Sequence, residues 1–219
     1  MPANRTAHFI WFGPPPKKWL LECVETFKRH HPAWDVQWWG HDDVLKLGMH
    51  NEAHYTNAHK IVAKDSVHQF RSDLARLEIL QRHGGLYIDL DFHWQRPIDP
   101  LINALPPNWL ATAWEKQKQH VANGIIYTHK PGHPGITQAI NAVDEWVAKP
   151  CKTKPRANRV TGPSGLWTNV IRKRRDVTIW AQGRFCPIPW TNPEWFRERS
   201  YPGATAIHVW HNQHTLRRL

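Results

Sequence analysis

The chain has 219 residues, which is long enough to bury one sizeable core. Hydrophobic residues make up 41% of it, and this composition is too apolar for a fully disordered chain. Its three scattered cysteines form neither a disulfide framework nor a zinc motif, so we expect a reducing compartment, the cytoplasm, or the host cytoplasm if a phage encodes the chain. We expect no signal peptide and no membrane span. The formal net charge of +11 favours polyanionic partners, and nothing in it indicates an oligomeric state.

The hydrophobic pattern predicts strands and helices in alternation. A buried strand is predicted at residues 7–12, a helix at Lys18–His30 and a second strand at residues 34–39. A helix, another strand and another helix follow in loose alternation, and the clearest helix runs from Asp65 or Ser66 to His83.

The second half of the chain continues the same pattern. The remaining predictions are strands at residues 86–90, 109–114 and 121–127, a helix at 134–147 and an exposed, basic, proline-rich loop at 149–159. No repeat or linker divides the chain. The rhythm therefore predicts one α/β domain over residues 1–219, with a sheet flanked by helices.

The most specific pattern is RSDLARLEILQRHGGLYIDLD, from Arg71 to Asp91. Asp73 and Arg76 share one face of the predicted helix, and two glycines then reverse the chain into the strand that ends at Asp89 and Asp91. Two carboxylates spaced this way can face one hard cation. Phosphate oxygens would then complete the coordination shell of that cation. An isolated Asp-x-Asp is usually turn chemistry, but the longer order of residues favours a metal site.

This segment resembles the DXD-containing sugar-binding region of family 32 glycosyltransferases. Four other segments resemble motifs of that family in the expected order: HFIWFGPPP from His8, NGIIYTHKPGHP from Asn123, TGPSGLWTNVI from Thr161 and AIHVWHNQH from Ala206. The resemblance implies a GT-A fold, which is a Rossmann-like nucleotide-binding mixed sheet flanked by helices. It also implies a retaining transfer of a sugar from a UDP- or GDP-sugar to a hydroxyl group, with Mn²⁺ or Mg²⁺ as cofactor.

The resemblance also implies roles for the residues that contact the nucleotide and the sugar. Trp11 would stack on the base, Asp73 and Arg76 would hold the ribose or the transferred sugar, and Asn123 would lie near the sugar. Without the resemblance, Trp11 and Tyr87 would be interpreted as core. Arg76 would then be a surface ion-pair partner, and Asn123 would begin a hairpin turn.

The metal and the leaving group would be held by a second set of residues. The resemblance implies that Asp89 and Asp91 reach the ribose and the metal, with Asp91 the firmer ligand. His208 would close the metal or diphosphate site, and Trp210 would lie near the glycosidic oxygen. The family often continues with Ser-Trp after this segment, and the chain lacks it, so the closing segment is altered. Three histidines near the end (208, 211 and 214) match no common zinc spacing.

The acceptor is indicated only by charge. Basic clusters occur at Arg217-Arg218 and at two further places: Lys152, Lys154, Arg156 and Arg159, and Arg172, Lys173, Arg174 and Arg175. Such clusters bind phosphates, and the tryptophans and histidines could stack beside an extruded base. This favours DNA with a hydroxymethylated pyrimidine, as in phage-type DNA modification. A surface polysaccharide, a lipid-linked glycan or a protein hydroxyl are alternatives. A non-catalytic basic DNA-binding protein is an alternative of another class.

Overall fold

The computed structural model of the 219-residue chain describes residues 3–210. The strands in this part of the chain are β1 (Thr6–Ile10), β2 (Asp35–Trp39), β3 (Gly85–Ile88), β4 (Phe92–Trp94), β5 (Leu110–Glu115), β6 (His120–Val121), β7 (Ile125–Thr128), β8 (Val177–Trp180) and β9 (Ala206–His208). The α-helices are α1 (Lys18–His30), α2 (His41–Leu45), α3 (Glu52–Thr56), α4 (Ala58–Ile61), α5 (Val67–His83), α6 (Asp99–Asn103), α7 (Pro134–Asn141), α8 (Val143–Val147), α9 (Ala157–Val160), α10 (Leu166–Ile171) and α11 (Trp195–Glu198). Short 3-10 helices lie at Lys64–Ser66 and Gln182–Arg184.

Seven strands form one mixed sheet in the order β2-β1-β3-β7-β5-β6, with β8 also paired to β5. β1 is parallel to β2 and β3, whereas β7 is antiparallel to both β3 and β5. β1, β3 and β5 therefore point the same way and end at one edge of the sheet, at Ile10, Ile88 and Glu115, which we call the carboxyl edge. β4 and β9 form a separate two-stranded sheet.

Helices cover both faces of the large sheet. Because side chains alternate along a strand, Leu86 and Ile88 pack in an apolar cluster with α1, whereas Tyr87 packs in the cluster that contains much of α5 and α7. All four residues of β3 are buried, as expected for a central strand covered on both faces. The face on which Tyr87 lies is the face from which α5 reaches the end of β3.

The reversal between α5 and β3 depends on Gly84 and Gly85. Both have positive φ, 63° and 85°. A Cβ at Gly84 would lie 2.7 Å from the backbone carbon of Lys130, and one at Gly85 would lie 2.5 Å from the backbone oxygen of Thr6. Only glycine fits both the dihedral angle and the space, so the predicted glycine reversal is confirmed.

The fold class is confirmed, and so are the predicted limits of α1 and the end of α5 at His83. The prediction of a strand between β2 and α5 is wrong, because residues 41–66 form only short helices. The first of these helices begins where Asp43 accepts a hydrogen bond from the Gly40 N–H. Ser66 precedes α5, but its side chain makes no capping hydrogen bond.

Three other predicted elements differ from the structure. The predicted strand at 121–127 is divided into β6 and β7, and the predicted helix at 134–147 is divided at Ala142 into α7 and α8. The predicted loop at 149–159 runs into α9, because Ala157 and Val160 are apolar and bury themselves in the cluster that contains α5. In the described part of the chain, no helix combines the length and the apolarity that a membrane crossing requires.

Candidate metal and donor site

Asp89 and Asp91 follow β3 at the carboxyl edge of the sheet. Strand alternation puts Asp89 on the same face as Tyr87, whose hydroxyl donates a hydrogen bond of 2.5 Å to Asp89 Oδ1. The Asp89 N–H donates to the Gly124 carbonyl at 2.8 Å, so the chain stays beside β7 after β3 has ended. The two carboxylates are therefore held by backbone pairing and are not on a free loop.

A third candidate ligand reaches this edge from the distant end of the described chain. β9 pairs with β4 so that His208 lies opposite Phe92, and their rings stack with centroids 4.5 Å apart. His208 Nε2 lies 3.1 Å from Asp91 Oδ1. One ligand atom from each of Asp89, Asp91 and His208 lies within 4.8 Å of the others.

The donor chemistry of this cluster fits a hard divalent cation. Carboxylate oxygens suit Mn²⁺ and Mg²⁺, an imidazole nitrogen suits a transition metal better than Mg²⁺, and the three ligands leave coordination positions for phosphate oxygens. Burial by itself would lower the pKa of His208, but the charge and hydrogen bond of Asp91 outweigh it and raise that pKa well above its usual value. A bound metal would compete with the proton of the His208 imidazole.

Arg76 connects the helix to the carboxylates. Its side chain is 4% exposed, with Nη2 3.1 Å from Asp73 Oδ1 and Nη1 3.5 Å from Asp89 Oδ1. Nη1 also donates to the Asn123 carbonyl at 2.6 Å, and the guanidinium lies over the Tyr87 ring, 4.4 Å from its centroid. The interpretation of Arg76 as a surface ion-pair residue is wrong, because the helix face that carries it is covered by the sheet.

Asp73 is buried in the same network. Its Oδ1 accepts a hydrogen bond from Asn123 Nδ2 at 2.9 Å, and its Oδ2 accepts one from Thr161 Oγ1 at 2.8 Å. Burial raises the pKa of Asp73, while Arg76 and the two hydrogen bonds oppose that rise. The carboxylate thus joins α5, the start of β7 and the segment after α9, which are far apart in sequence.

Asn123 and Gly124 do not form a hairpin turn. They interrupt the strand that β6 and β7 would otherwise form against β5, since β6 pairs with the end of β5 and β7 with its start. A Cβ at Gly124 would lie 2.5 Å from Asp89 Oδ2. Because Gly124 has no side chain, the Asp89 carboxylate can occupy the space beside it.

Trp11 and Trp210 flank the carboxylates. Trp11 directly follows β1 at the carboxyl edge, is half-buried, and donates through Nε1 to the Pro14 carbonyl. The ring of Trp210 lies 3.9 Å from the ring of His208 between centroids, and its Nε1 donates to the Ile188 carbonyl. The structure therefore brings eight predicted residues to one region of the carboxyl edge: Trp11, Asp73, Arg76, Asp89, Asp91, Asn123, His208 and Trp210. Residues 211 and 214 lie outside the described part of the chain.

Sequence reasoning missed two members of this region. Tyr87 was interpreted as core, and its ring is buried, but its hydroxyl binds Asp89. Thr161 was noted only within a motif, yet it binds Asp73. The alternation of Tyr87 with Asp89 along one strand was a usable signal for the first. Nothing in the local sequence indicates the second contact.

The predicted basic clusters are not at this site. Residues 172–175 precede β8, whose first residue pairs with Leu110 at the start of β5, so this cluster lies at the opposite edge of the sheet. The Arg174 guanidinium there donates two hydrogen bonds to the Asp176 carboxylate, of 2.8 and 2.6 Å. In the other cluster, Arg156 pairs with Asp65 and Lys154 donates to a backbone carbonyl. Residues 217 and 218 lie outside the described part.

Comparison with known proteins agrees with this geometry. Residues 16–108 match the family described as the glycosyltransferase sugar-binding region containing DXD motif. Inositol phosphoceramide mannosyltransferase 1 of Schizosaccharomyces pombe is 25% identical over 153 residues, which is 65% of this chain and 43% of the yeast protein. The chain thus spans less than half the length of this curated relative.

Solved structures show the same fold. The PaToxG glycosyltransferase matches with a TM-score of 0.57 and 14% identity, over 77% of this chain and 68% of that one. The UDP-bound glycosyltransferase domain of the YGT toxin matches with a TM-score of 0.55 and 9% identity, over 81% and 79%. The described part of the chain therefore has the GT-A fold of these glycosyltransferase domains. The similarity to the sugar-binding region containing the DXD motif is confined to residues 16–108 of the chain.

Proposed function

We propose that this protein transfers a sugar from a nucleoside-diphosphate sugar to a hydroxyl acceptor with retention at the anomeric carbon, and that residues 1–219 act as one domain. The observation that carries the proposal is the cluster of Asp89, Asp91 and His208 within 4.8 Å, beside a buried arginine at the carboxyl edge. In open α/β sheets, ligands bind outside the carboxyl ends of the strands. The UDP-bound toxin domain of the same fold supports a nucleotide-sugar donor.

In the proposal, Asp89, Asp91 and His208 hold Mn²⁺ or Mg²⁺. When bound, such an ion supplies a Lewis acid that neutralises charge on the departing diphosphate. Trp11, at the end of β1, would stack on the nucleotide base. Trp210, which is packed on His208, would lie near the glycosidic oxygen.

Asp73 and Arg76 are almost fully buried, with side chains 2% and 4% exposed. Their contact with the ribose or the sugar is therefore confined to a small surface. Their main contribution in this proposal is to orient Asn123 and Asp89, because both oxygens of Asp73 already accept hydrogen bonds and Arg76 already touches Asp89. Preorganised groups of this kind cost little reorganisation during the reaction.

The transfer itself would proceed on one face of the sugar. The acceptor oxygen forms a bond to the anomeric carbon as the bond to the diphosphate oxygen breaks, and the diphosphate oxygen takes the proton of the acceptor hydroxyl. No covalent protein intermediate is involved. Inversion at the anomeric carbon, read by NMR of the product, would contradict this step.

We expect Gly124→Ala to weaken Mn²⁺ binding at least tenfold. The new Cβ would lie 2.5 Å from Asp89 Oδ2 and displace a proposed ligand oxygen. The measurement is Mn²⁺ titration followed by electron paramagnetic resonance. Gly183→Ala is the matched control, since a Cβ there meets nothing within 4 Å. Equal Mn²⁺ affinity in the two variants would show that Gly124 does not set the position of the metal ligand.

For the acceptor, we propose DNA that carries a hydroxymethylated pyrimidine. Two adjoining clefts of about 720 and 950 Å³ lie on the helical layer and share Trp146 and Lys149, whose ammonium lies 3.0 Å from the centre of the Trp146 ring. Six cations that line these clefts have no acidic partner among the described residues: Lys60, Lys152, Lys154, Arg159, Lys173 and Arg175. Such a basic surface supplies sequence-independent affinity for phosphates.

A second acceptor is favoured by a different observation. The yeast relative is named for transfer of mannose to an inositol phosphoceramide, whose acceptor is a polyol on a lipid. A lipid-linked or surface glycan acceptor is therefore the alternative. A binding protein without activity is disfavoured by the shared cluster of Asp73, Arg76, Asp89 and Asp91, which a decayed site would not be expected to keep.

One experiment tests both the donor chemistry and the acceptor. The purified protein is incubated with Mn²⁺, UDP- or GDP-sugars, and duplex DNA with or without hydroxymethylcytosine, and the DNA is digested for mass spectrometry of nucleosides. We expect a hexose increment on hydroxymethylcytidine only, which disappears with EDTA. Donor hydrolysis without DNA modification would contradict the DNA acceptor and retain the transferase. Absence of both would contradict the proposed function.

A further inference from the structure

Glu115 is a buried carboxylate that the proposed reaction has not yet used. It is the last residue of β5 and pairs with His120 of β6 across a hairpin. The sheet order β1-β3-β7-β5 places four side chains in sequence along the carboxyl edge. From one side to the other, these are Trp11, Asp89, Asn123 and Glu115.

The carboxylate of Glu115 lacks the partners that a buried acceptor normally has. The residue is 8% exposed, and no described residue donates a hydrogen bond to its side chain. The nearest cationic atom is His120 Nδ1, at 3.9 Å from Oε1, which is too long for a hydrogen bond. The Glu115 oxygens are not among the enclosed side-chain atoms without a partner, so they remain accessible to solvent, and the hydroxyl groups of a ligand can replace water there.

Glu115 lies on the side of the sheet that carries His208. Alternation along β5 puts it on the face of Ala111 and Ala113, which pack in the same apolar cluster as Phe92. The Phe92 ring stacks on His208, a member of the metal cluster. Burial raises the pKa of Glu115 to about 7, while His208 opposes that rise and Asp89 adds to it.

The hairpin that holds Glu115 opposite His120 has an unusual backbone. Lys116, Gln117 and Lys118 all have positive φ, 47°, 55° and 64°, which non-glycine residues rarely adopt. The Gln117 N–H donates to Gln182 Oε1 at 2.7 Å, so a contact outside the hairpin fixes the turn. A turn built this way keeps the end of β5 in one position.

We infer that Glu115 recognises the transferred sugar by accepting hydrogen bonds from its ring hydroxyls. The inference rests on the proposed function. With the base at Trp11 and the diphosphate at Asp89, the donor extends over Asn123 towards Glu115, and sugar hydroxyls can donate hydrogen bonds to this accessible carboxylate. Glu115 would thus determine which sugar is accepted, whereas the nucleotide would be bound without it.

The test compares nucleotide with nucleotide-sugar binding. Isothermal titration in Mn²⁺ would measure UDP against UDP-glucose and UDP-galactose, and GDP against GDP-mannose, for Glu115→Met, Glu115→Gln and the control Glu52→Met. Glu52 is exposed on α3 and lines neither the proposed donor site nor the basic clefts. We expect Glu115→Met to bind the nucleoside diphosphate within twofold of wild type and the corresponding sugar nucleotide at least tenfold more weakly. Glu115→Gln should be intermediate.

Two results would overturn the inference. Sugar-nucleotide affinity unchanged in Glu115→Met would show that the carboxylate does not touch the sugar. An equal loss for the nucleoside diphosphate and the sugar nucleotide would show that Glu115 acts on the metal site or on folding, and thermal melting of both variants separates these two causes. If wild type binds no nucleotide in the presence of Mn²⁺, the proposed function fails, and this inference fails with it.

Discussion

Asp91→Ala is expected to reduce metal-dependent transfer by about a thousandfold, as removal of a main electrostatic stabiliser of the transition state can. Asp91 is the more buried of the two carboxylates in the cluster, with a side chain 10% exposed against 29% for Asp89. It also orients His208, so its loss disturbs two proposed ligands at once. The measurement is the initial rate of donor hydrolysis or transfer over a range of Mn²⁺ concentrations.

Asp144→Ala is the matched control for this prediction. Asp144 carries the same side chain and also pairs with a histidine, His54, but it is exposed and lies on α8. We expect this variant to retain the wild-type rate. A rate for Asp91→Ala that equals that of Asp144→Ala at every Mn²⁺ concentration would remove Asp91 from the metal site.

Arg76→Met is expected to lower stability and activity together. The substitution leaves Asp73 buried without its cation, and breaking a buried ion pair by removing one partner costs about 3–5 kcal/mol. For a chain of this length, each kcal/mol shifts the melting temperature by about 2–4 °C, so we expect a fall of about 10 °C. Donor turnover at a temperature where the variant is folded should fall by about a hundredfold, since Asp89 loses its orientation.

The control is Arg82→Met on the same helix. Arg82 is exposed, and its one described hydrogen bond is to the Gly48 carbonyl. A further test adds Asp73→Asn to Arg76→Met. This removes the unpaired charge and retains neighbours Asn123 and Thr161, so part of the lost stability should return. Equal melting temperatures for Arg76→Met and Arg82→Met would contradict the buried network.

The hydrogen-bond and ion-pair network of Asp73 and Arg76 holds the side chains of the proposed site in fixed positions. α5 carries both Asp73 and Arg76, and their contacts reach the end of β3, the start of β7 and Thr161. Each of these partners comes from a different element. The ion pair therefore ties the sheet edge to its covering helix, and the proposed donor contacts depend on that link.

If the basic clefts bind the acceptor, as proposed, acceptor binding and the chemistry take place on different parts of the molecule. Residues 172–175 lie at the opposite edge from Asp89, so they cannot touch the reacting groups. If DNA is the acceptor, these cations would hold the backbone along the helical layer while one base reaches the carboxyl edge. Salt should then weaken acceptor binding much more than donor binding.

The sequence by itself determined the local elements around the site. The apolar period of residues 18–30 fixes α1, and the stripe that begins at Phe70 fixes α5. Gly84 and Gly85 fix the reversal, because their dihedral angles and close contacts exclude a side chain. The spaced motif from Asp73 to Asp91 was long enough to indicate the reaction class. All of these signals lie within a few turns of the chain, where spacing dictates geometry.

Only the tertiary structure decided which distant residues meet at the carboxyl edge. The contact of His208 with Asp91 requires β9 to pair with β4, and the position of Glu115 requires β5 to lie beyond β7 in the sheet. Likewise, Arg76 appears on an amphipathic helix in the sequence, but the sheet covers it. Strand order and helix packing depend on how all the apolar side chains on both faces of the sheet are buried together. No local spacing encodes them. The family resemblance alone placed His208 at the metal site, and the position of Glu115 was not predicted.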